Sequence, residues 1–221
     1  MYKAFFKRVL DILLTTIVLI ILSPFLLIIS FVLLLTGEHQ IIYFQNRIGK
    51  DLKTFFIWKF TTMLKDSENM GDGLLTVRED PRVLPFGKFL RKSKINEIPQ
   101  LINIIKGDMS IVGPRPLIYN PYKSGVGEKV YKTRPGLTGI GSIMFRDEEH
   151  LLSTTKLDKT YFYDNYISPY KGELEMWYQK NLSFITDIKV IFCTAWVIVF
   201  SESKLPYKLF KGLPTKPKEL Q

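Results

Sequence analysis

Residues 92–101 read KSKINEIPQL, and the pair inside that stretch is where chemistry would sit. A neutral amide, Asn96, stands beside a carboxylate, Glu97, and Pro99 follows with an apolar stripe behind it. Ile98, Leu101, Ile102 and Ile105 fall at i, i+3, i+4 and i+7, which marks one face of a helix. Gly107 is its natural stop. Asn96 is predicted to cap this helix, with Pro99 in the first turn. The pair then lies where backbone N–H groups and the positive end of the helix dipole favour a bound phosphate.

The surroundings support an anionic ligand. Between Arg82 and Arg134 there are eleven Lys or Arg against three acidic residues, Glu97, Asp108 and Glu128. Such a face is often only solvated surface, but a basic field around one carboxylate suits a polyanionic substrate. GPRP at 113–116 cannot be regular helix, and its two prolines clamp Arg115 between stiff neighbours. TRPGLTG at 133–139 is a second Pro/Gly turn carrying an arginine. Either could equally be a plain structural turn.

The elements that must position these residues can be read outward from them. PFGKFLRKSK is basic and predicted helical. QIIYFQNRIG and TFFIWKFTTM are two β-rich runs around Gly49-Lys50-Asp51, a predicted hairpin. Residues 63–82 are polar and Gly-containing, which marks a surface loop. His39 and His150 are isolated and are expected at the surface or its boundary. Trp177, Tyr178 and Trp196 are expected in the core or at an interface.

The 221 residues carry a net charge of +10 and one cysteine, Cys193, so an intramolecular disulfide is excluded. Zinc-type Cys/His spacing is absent, and a reducing, cytoplasm-facing compartment fits. The positive charge alone would admit nucleic acid, but no accompanying motif supports it. Residues 12–35 are 24 positions without a charge. About 20 apolar residues span a bilayer core as a helix. The run is too long for the apolar part of a signal peptide, and no small-residue cleavage site follows. Ser23-Pro24 near its middle predicts a bend. Lys3, Lys7 and Arg8 precede the run, and Arg47, Lys50 and Lys53 follow it. Basic residues at both ends lean toward re-entry, with both ends cytoplasmic, over a simple crossing. Residues 188–200 are apolar but too short to span, and suit a core or interfacial helix. The lysines beyond 201 mark either a solvated, mobile tail or one drawn to anionic lipid.

Taken together, KRVLDILL with LSP, RIG with WKFTTM, PFGKFLRKSKINEIPQLINIIKGDMSIVGPRPL and RPGLTG resemble the bacterial sugar transferases, the monotopic polyprenyl-phosphate phosphoglycosyl transferases. The resemblance covers most of 7–139. It implies an α+β, mainly helical fold. That fold has a re-entrant membrane helix-break-helix bending at Ser23 and Pro24 over 1–36 and a cytoplasmic catalytic domain with a small β-hairpin over 37–187. An interfacial helix and basic tail over 188–221 complete it. It implies a bacterial inner-membrane enzyme whose catalytic domain faces the cytoplasm. Such an enzyme moves a sugar phosphate from a UDP-sugar to undecaprenyl phosphate, releases UMP and requires Mg2+. Arg91 and Arg115 match the family's phosphate-contacting arginines, and Asn96 and Glu97 match its catalytic and metal-binding pair. The membrane is a partner, nucleic acid is not, and a second copy of the chain is a further candidate.

One position departs from the family pattern. Asn96 stands where an aspartate attacks the sugar-bearing phosphate and carries a covalent phosphosugar. A carboxamide is a very poor nucleophile and a weaker magnesium ligand. Four explanations are open. Glu97 is the nucleophile; or the lipid phosphate attacks directly, with Glu97 on magnesium; or the change inactivates the chain, leaving a membrane-bound scaffold; or another carboxylate serves. For the last, Asp108 and the FRDEEH segment at 145–150 are candidates. The plainer reading of that segment is a solvated acidic loop, and a sugar-selecting role is a further one.

Overall fold

The computed structural model describes residues 2–70, 79–119, 126–200 and 203–220, and only the backbone of Lys3 and Ala4. Residues 71–78 of the polar loop expected at 63–82 lie outside the described residues. A π-helical turn, Tyr2–Phe6, runs into helix α1 (Lys7–Leu35). Strands β1 (Ile42–Ile48) and β2 (Thr54–Phe60) form the expected antiparallel hairpin, pairing Ile42 with Phe60 and Ile48 with Thr54. Helices α2 (Pro85–Lys92) and α3 (Gln100–Lys106) follow, then strand β3 (Ser110–Val112) and helix α4 (Val126–Val130). Strand β4 (Gly136–Thr138) lies parallel to β3, pairing Gly136 with Ser110 and Thr138 with Val112. The chain ends in helices α5 (Ile140–Met144), α6 (Glu148–Thr154), α7 (Lys159–Phe162), α8 (Ser168–Lys180), α9 (Phe184–Val199) and α10 (Leu205–Leu209). The fold is therefore mostly helical with a small hairpin, as the sequence suggests.

Helix α1 is long and apolar enough to cross a membrane, and most of its surface is uncovered. It is one helix through Ser23 and Pro24, so the pair does not divide it as the sequence led us to expect. Local chemistry accounts for this. Pro24 has no N–H for the carbonyl of Ile20, and the Ser23 hydroxyl donates to that carbonyl at 2.8 Å instead. In apolar surroundings, replacing the missing donor in this way keeps the helix intact.

Both ends of α1 pack on the same body of protein. Near its start, the Arg8 guanidinium donates to the carbonyls of Ile104 and Ile105 in the last turn of α3. Asp11 accepts from the Ser110 hydroxyl and the Ile111 N–H of β3. Near its end, Ile29 and Leu33 are buried against Phe60 of β2 and Leu90 of α2.

The main core joins α5, α8 and α9 through Ile140, Leu174, Tyr178 and Val190, among others. Helix α9 divides its faces: Val190, Cys193 and Val197 are buried, while Ile185, Ile188, Phe192 and Val199 are exposed. The boundary expected between 187 and 188 thus falls inside this helix. The tail is not simply a solvated end. Phe210 and Leu220 are buried in the main core, and Trp177 meets Phe210 edge-on at 5.8 Å.

The two Pro/Gly segments are stitched to each other rather than acting as separate turns. Gly113 N–H donates to Thr138 at 2.9 Å, and Gly136 N–H donates to Pro114 at 2.8 Å. A Cβ on Gly136 would lie 2.1 Å from the Gly113 nitrogen, so only glycine permits this approach.

Candidate active site

Glu97 lies in a short 3-10 turn, Ile95–Glu97, between α2 and α3. Lys94 takes a left-handed backbone, φ 61°, and turns the chain out of α2 into that segment. The expected cap is corrected here: α3 opens at Gln100, and Asn96 sits inside the 3-10 turn instead of capping it. The helix stop at Gly107 is as expected, with φ 99°.

Two segments converge on the Glu97 carboxylate. Arg115, between its two prolines after β3, donates Nη2–H to Oε1 at 3.0 Å. Lys59, from β2, places Nζ 3.6 Å from the same oxygen. Both contacts fall on Oε1, so Oε2 stands outside them. The Glu97 side chain is 12% exposed. Burial alone would raise its pKa, but Arg115, Lys59 and Lys94 more than offset this and hold it well below the usual carboxylate range. Glu97 in turn raises the Arg115 guanidinium against the effect of burial. Lys59 moves the other way, down to about 7, because burial and the charges of Arg47, Arg115 and Arg91 outweigh its attraction to Glu97.

Asn96 is 6% exposed, and its Oδ1 has no hydrogen-bond partner among the described residues. A buried carbonyl oxygen without a donor is destabilising, by roughly 1–3 kcal/mol, unless something arrives to satisfy it.

These residues line one groove of about 1560 Å3. Arg91, from the last turn of α2, enters it and donates to Glu149 at 2.8 Å. Thus Asn96, Glu97, Arg91 and Arg115 share one site, while Ser23 and Pro24 remain in α1 and do not line it. The acidic segment is not a solvated loop. It opens α6, where Glu148 pairs with buried Lys171 and Glu149 with Arg91, and both carboxylates line the groove. Asp108 does not line it; its carboxylate accepts from the Asn103 amide at 3.1 Å. Arg82, counted in the basic stretch, is buried and held by Asp80.

Sequence reasoning did not assign Lys59, Arg47 or Lys171 to the site. Lys59 carried a signal, a lone cation in the aromatic strand TFFIWKF. Lys171 gave none, because its partner Glu148 comes from another helix. His39 and His150 are both exposed.

The groove joins two chemistries. One side presents Glu97 among cations; another presents Val18 and Leu22 of α1 with Ile191 and Ile198 of α9. That combination suits a phosphate attached to a hydrocarbon.

The chain is a mainly helical body on a long apolar helix, with a cation-ringed carboxylate in a groove that both line, an arrangement that suits phosphate chemistry beside an apolar phase. The bacterial sugar transferase family matches residues 2–201, and the chain belongs to it. The chain is 34% identical over 197 residues to a UDP-glucose:undecaprenyl-phosphate glucose-1-phosphate transferase of Klebsiella pneumoniae, covering 86% of this chain and 39% of that protein. It is 30% identical over 211 residues to an undecaprenyl-phosphate galactose phosphotransferase of Salmonella typhimurium, covering 88% and 40%. With the exopolysaccharide production protein ExoY of Sinorhizobium fredii it shares 29% over 211 residues, covering 88% and 86%. The chain spans about two fifths of the length of the first two.

Proposed function

We propose that this protein transfers a sugar phosphate from a UDP-sugar to undecaprenyl phosphate, releasing UMP, as the first membrane step of surface glycan assembly. The observation that carries the reading is the Glu97 site: one ionised carboxylate held by Arg115 and Lys59 in a groove that also has apolar walls. A diphosphate and a lipid phosphate repel each other, and fixed cations offset that repulsion where the transfer occurs. The names of the Klebsiella and Salmonella relatives describe this class of reaction.

In the transfer, the bond between the sugar-bearing phosphorus and the oxygen bridging the two phosphates breaks. UMP leaves with that oxygen. A new bond forms from the same phosphorus to an oxygen of the lipid phosphate, either directly or after a covalent stage on Glu97. Arg115 and Arg91 bind phosphate oxygens, and Lys59 adds positive charge as the anions arrive. Intact mass after incubation with UDP-sugar alone separates the two routes. A gain of one sugar phosphate that is absent in Glu97→Gln assigns attack to Glu97. No adduct and no UMP from UDP-sugar alone, with UMP released once undecaprenyl phosphate is added, assigns it to the lipid.

Magnesium fits this site as a partner of substrate. Asn96 offers an unpartnered buried oxygen, and Glu97 offers Oε2. No group of three metal-binding side chains occurs among the described residues, so substrate phosphates and water would complete the shell. Bound there, the ion would neutralise charge on the transferring phosphoryl group.

We further infer that α1 embeds in the bacterial inner membrane from the cytoplasmic side without crossing it. Supporting this, residues near both ends of α1 pack on the same body of protein, and basic residues flank both ends. Cysteine-accessibility labelling at both ends tests it: modification from the same side is expected, and opposite sides would contradict it.

The function is tested with a panel of UDP-sugars, undecaprenyl phosphate and Mg2+. UMP release that depends on the lipid is the expected result. No release above background across the panel, with folded protein, would contradict the proposal.

A further inference from the structure

Arg47 enters the same groove from the other strand of the hairpin. Alternation along β1 puts Tyr43, Gln45 and Arg47 on one face. Arg47 Nη1 donates to the Pro116 carbonyl at 3.2 Å, which anchors it on the residue next to Arg115. Nη2 donates to the Gln45 side-chain oxygen. The Gln45 amide and the Tyr43 hydroxyl both donate to one oxygen of Glu68. A polar lane therefore runs from Pro116, next to Arg115 in the chain, through Arg47 and Gln45 to Glu68.

Arg47 is incompletely satisfied. Its Nε is buried without a hydrogen-bond partner, and no carboxylate lies within ion-pair distance of it among the described residues. Burial and the neighbouring Arg115 charge push its pKa down to about 10, although Glu97 acts in the opposite direction. Among the described residues, Glu97 acts on Arg47, Lys59 and Arg115 alike, and Glu148 also acts on Arg115. A guanidinium held in this way is destabilising in the empty protein and favourable once an anion reaches it. Arg115 already serves the phosphate beside Glu97, where the transfer takes place. The anion left for Arg47 is the next phosphate along the lane.

We propose that Arg47 binds the nucleoside-side phosphate of the UDP-sugar, the one that departs in UMP, and that Gln45 holds the guanidinium in place for it. This rests on the functional reading above. It makes Arg47 a contact of the leaving group, where negative charge develops during transfer.

Calorimetric titration of the full chain in detergent micelles with UMP, UDP and, separately, decyl phosphate tests the assignment. Arg47→Gln is expected to weaken UMP and UDP binding by roughly 10- to 100-fold, the range for a lost charge-assisted contact. Decyl phosphate binding should stay within about 2-fold of wild type. Arg47→Lys keeps the charge without the planar fork and should fall between wild type and Arg47→Gln. Gln45→Ala keeps the arginine and frees it, with an expected loss of about 3-fold. Should Arg47→Gln fail to fold, those two variants decide the matter: wild-type UMP affinity in both overturns the proposal. So does unchanged UMP affinity in a folded Arg47→Gln protein, or a loss confined to decyl phosphate, which would give Arg47 to the lipid. Absence of UDP binding by the wild type would instead contradict the functional reading itself.

Discussion

The foot of α1 and the groove around Glu97 are both dense with charge, and they treat it in opposite ways. At the foot, the two buried carboxylates are completed by protein. Asp11, 5% exposed, accepts from the Ser110 hydroxyl at 2.7 Å and the Ile111 N–H at 3.1 Å. Asp187 accepts from Lys7 at 2.6 Å, from the Tyr2 hydroxyl at 2.7 Å and from the Tyr178 hydroxyl at 2.6 Å. Arg8 closes the last carbonyls of α3, where a cation also suits the helix dipole. In the groove, Asn96 Oδ1, Arg47 Nε and Arg146 Nε have no partner among the described residues. The foot fixes the apolar helix to the rest of the protein. The groove leaves polar atoms open for a ligand to complete. How far charged groups are completed by protein, more than charge density, separates the two clusters.

Substitutions can break or sharpen this contrast. Asp11→Ala removes an acceptor from two buried donors and should lower stability by about 3 kcal/mol. Chemical unfolding in micelles measures that loss. UMP release per folded molecule should persist. A loss of turnover at unchanged stability would move Asp11 into the functional group and undo the distinction.

Glu175 supplies a sharper case, because it has an unpartnered oxygen yet does not line the groove. It is 2% exposed, and burial pushes its carboxyl up to about 7, against a backbone N–H from Gly141 and the charge of Lys171. Its folded pKa lies above the ordinary 4.5. Between those two values the folded state holds a proton that the unfolded chain lacks, so stability from this group falls as pH rises through the window. Glu175→Gln should flatten that slope and stabilise the protein at pH 8 by about 2 kcal/mol. Melting curves from pH 5 to 8 report it, and an identical slope in the variant would show that Glu175 is not the titrating group.

The smallest effect is expected at the rim. Glu149 holds Arg91 at 2.8 Å and is about half exposed, so the pair adds little stability. Glu149→Gln frees Arg91 for substrate phosphate and should lower the KM for UDP-sugar by about 3-fold, with kcat little changed. A raised KM would mean that Glu149 itself contacts the substrate.

How far the sequence reveals this arrangement depends on whether the signal is local. The hairpin, α2, α3 and the stop at Gly107 follow from turn residues and periodicity within a few positions. The apolar run of α1 is equally plain. Its continuity at Pro24 is less so, since that depends on the Ser23 rotamer reaching the Ile20 carbonyl. The expected cap at Asn96 was overridden by the left-handed Lys94, which turns the chain before α3 begins. The pairing of Gly113 with Gly136, and of Lys59 and Arg115 with Glu97, joins distant segments. Spacing along one chain does not encode those meetings. Arg91 follows from the family pattern and Arg115 from both that pattern and the GPRP turn, whereas a site role for Arg47 emerges only from its missing partners.

The most direct test of the account is UMP release by wild type, Glu97→Gln and Asn96→Asp in one assay with undecaprenyl phosphate and Mg2+. The wild type should turn over, and Glu97→Gln should lose at least about 100-fold in rate while its melting curve still shows a folded protein. A silent wild type with activity appearing only in Asn96→Asp would contradict it, because Glu97 would then be unable to support the transfer beside an amide.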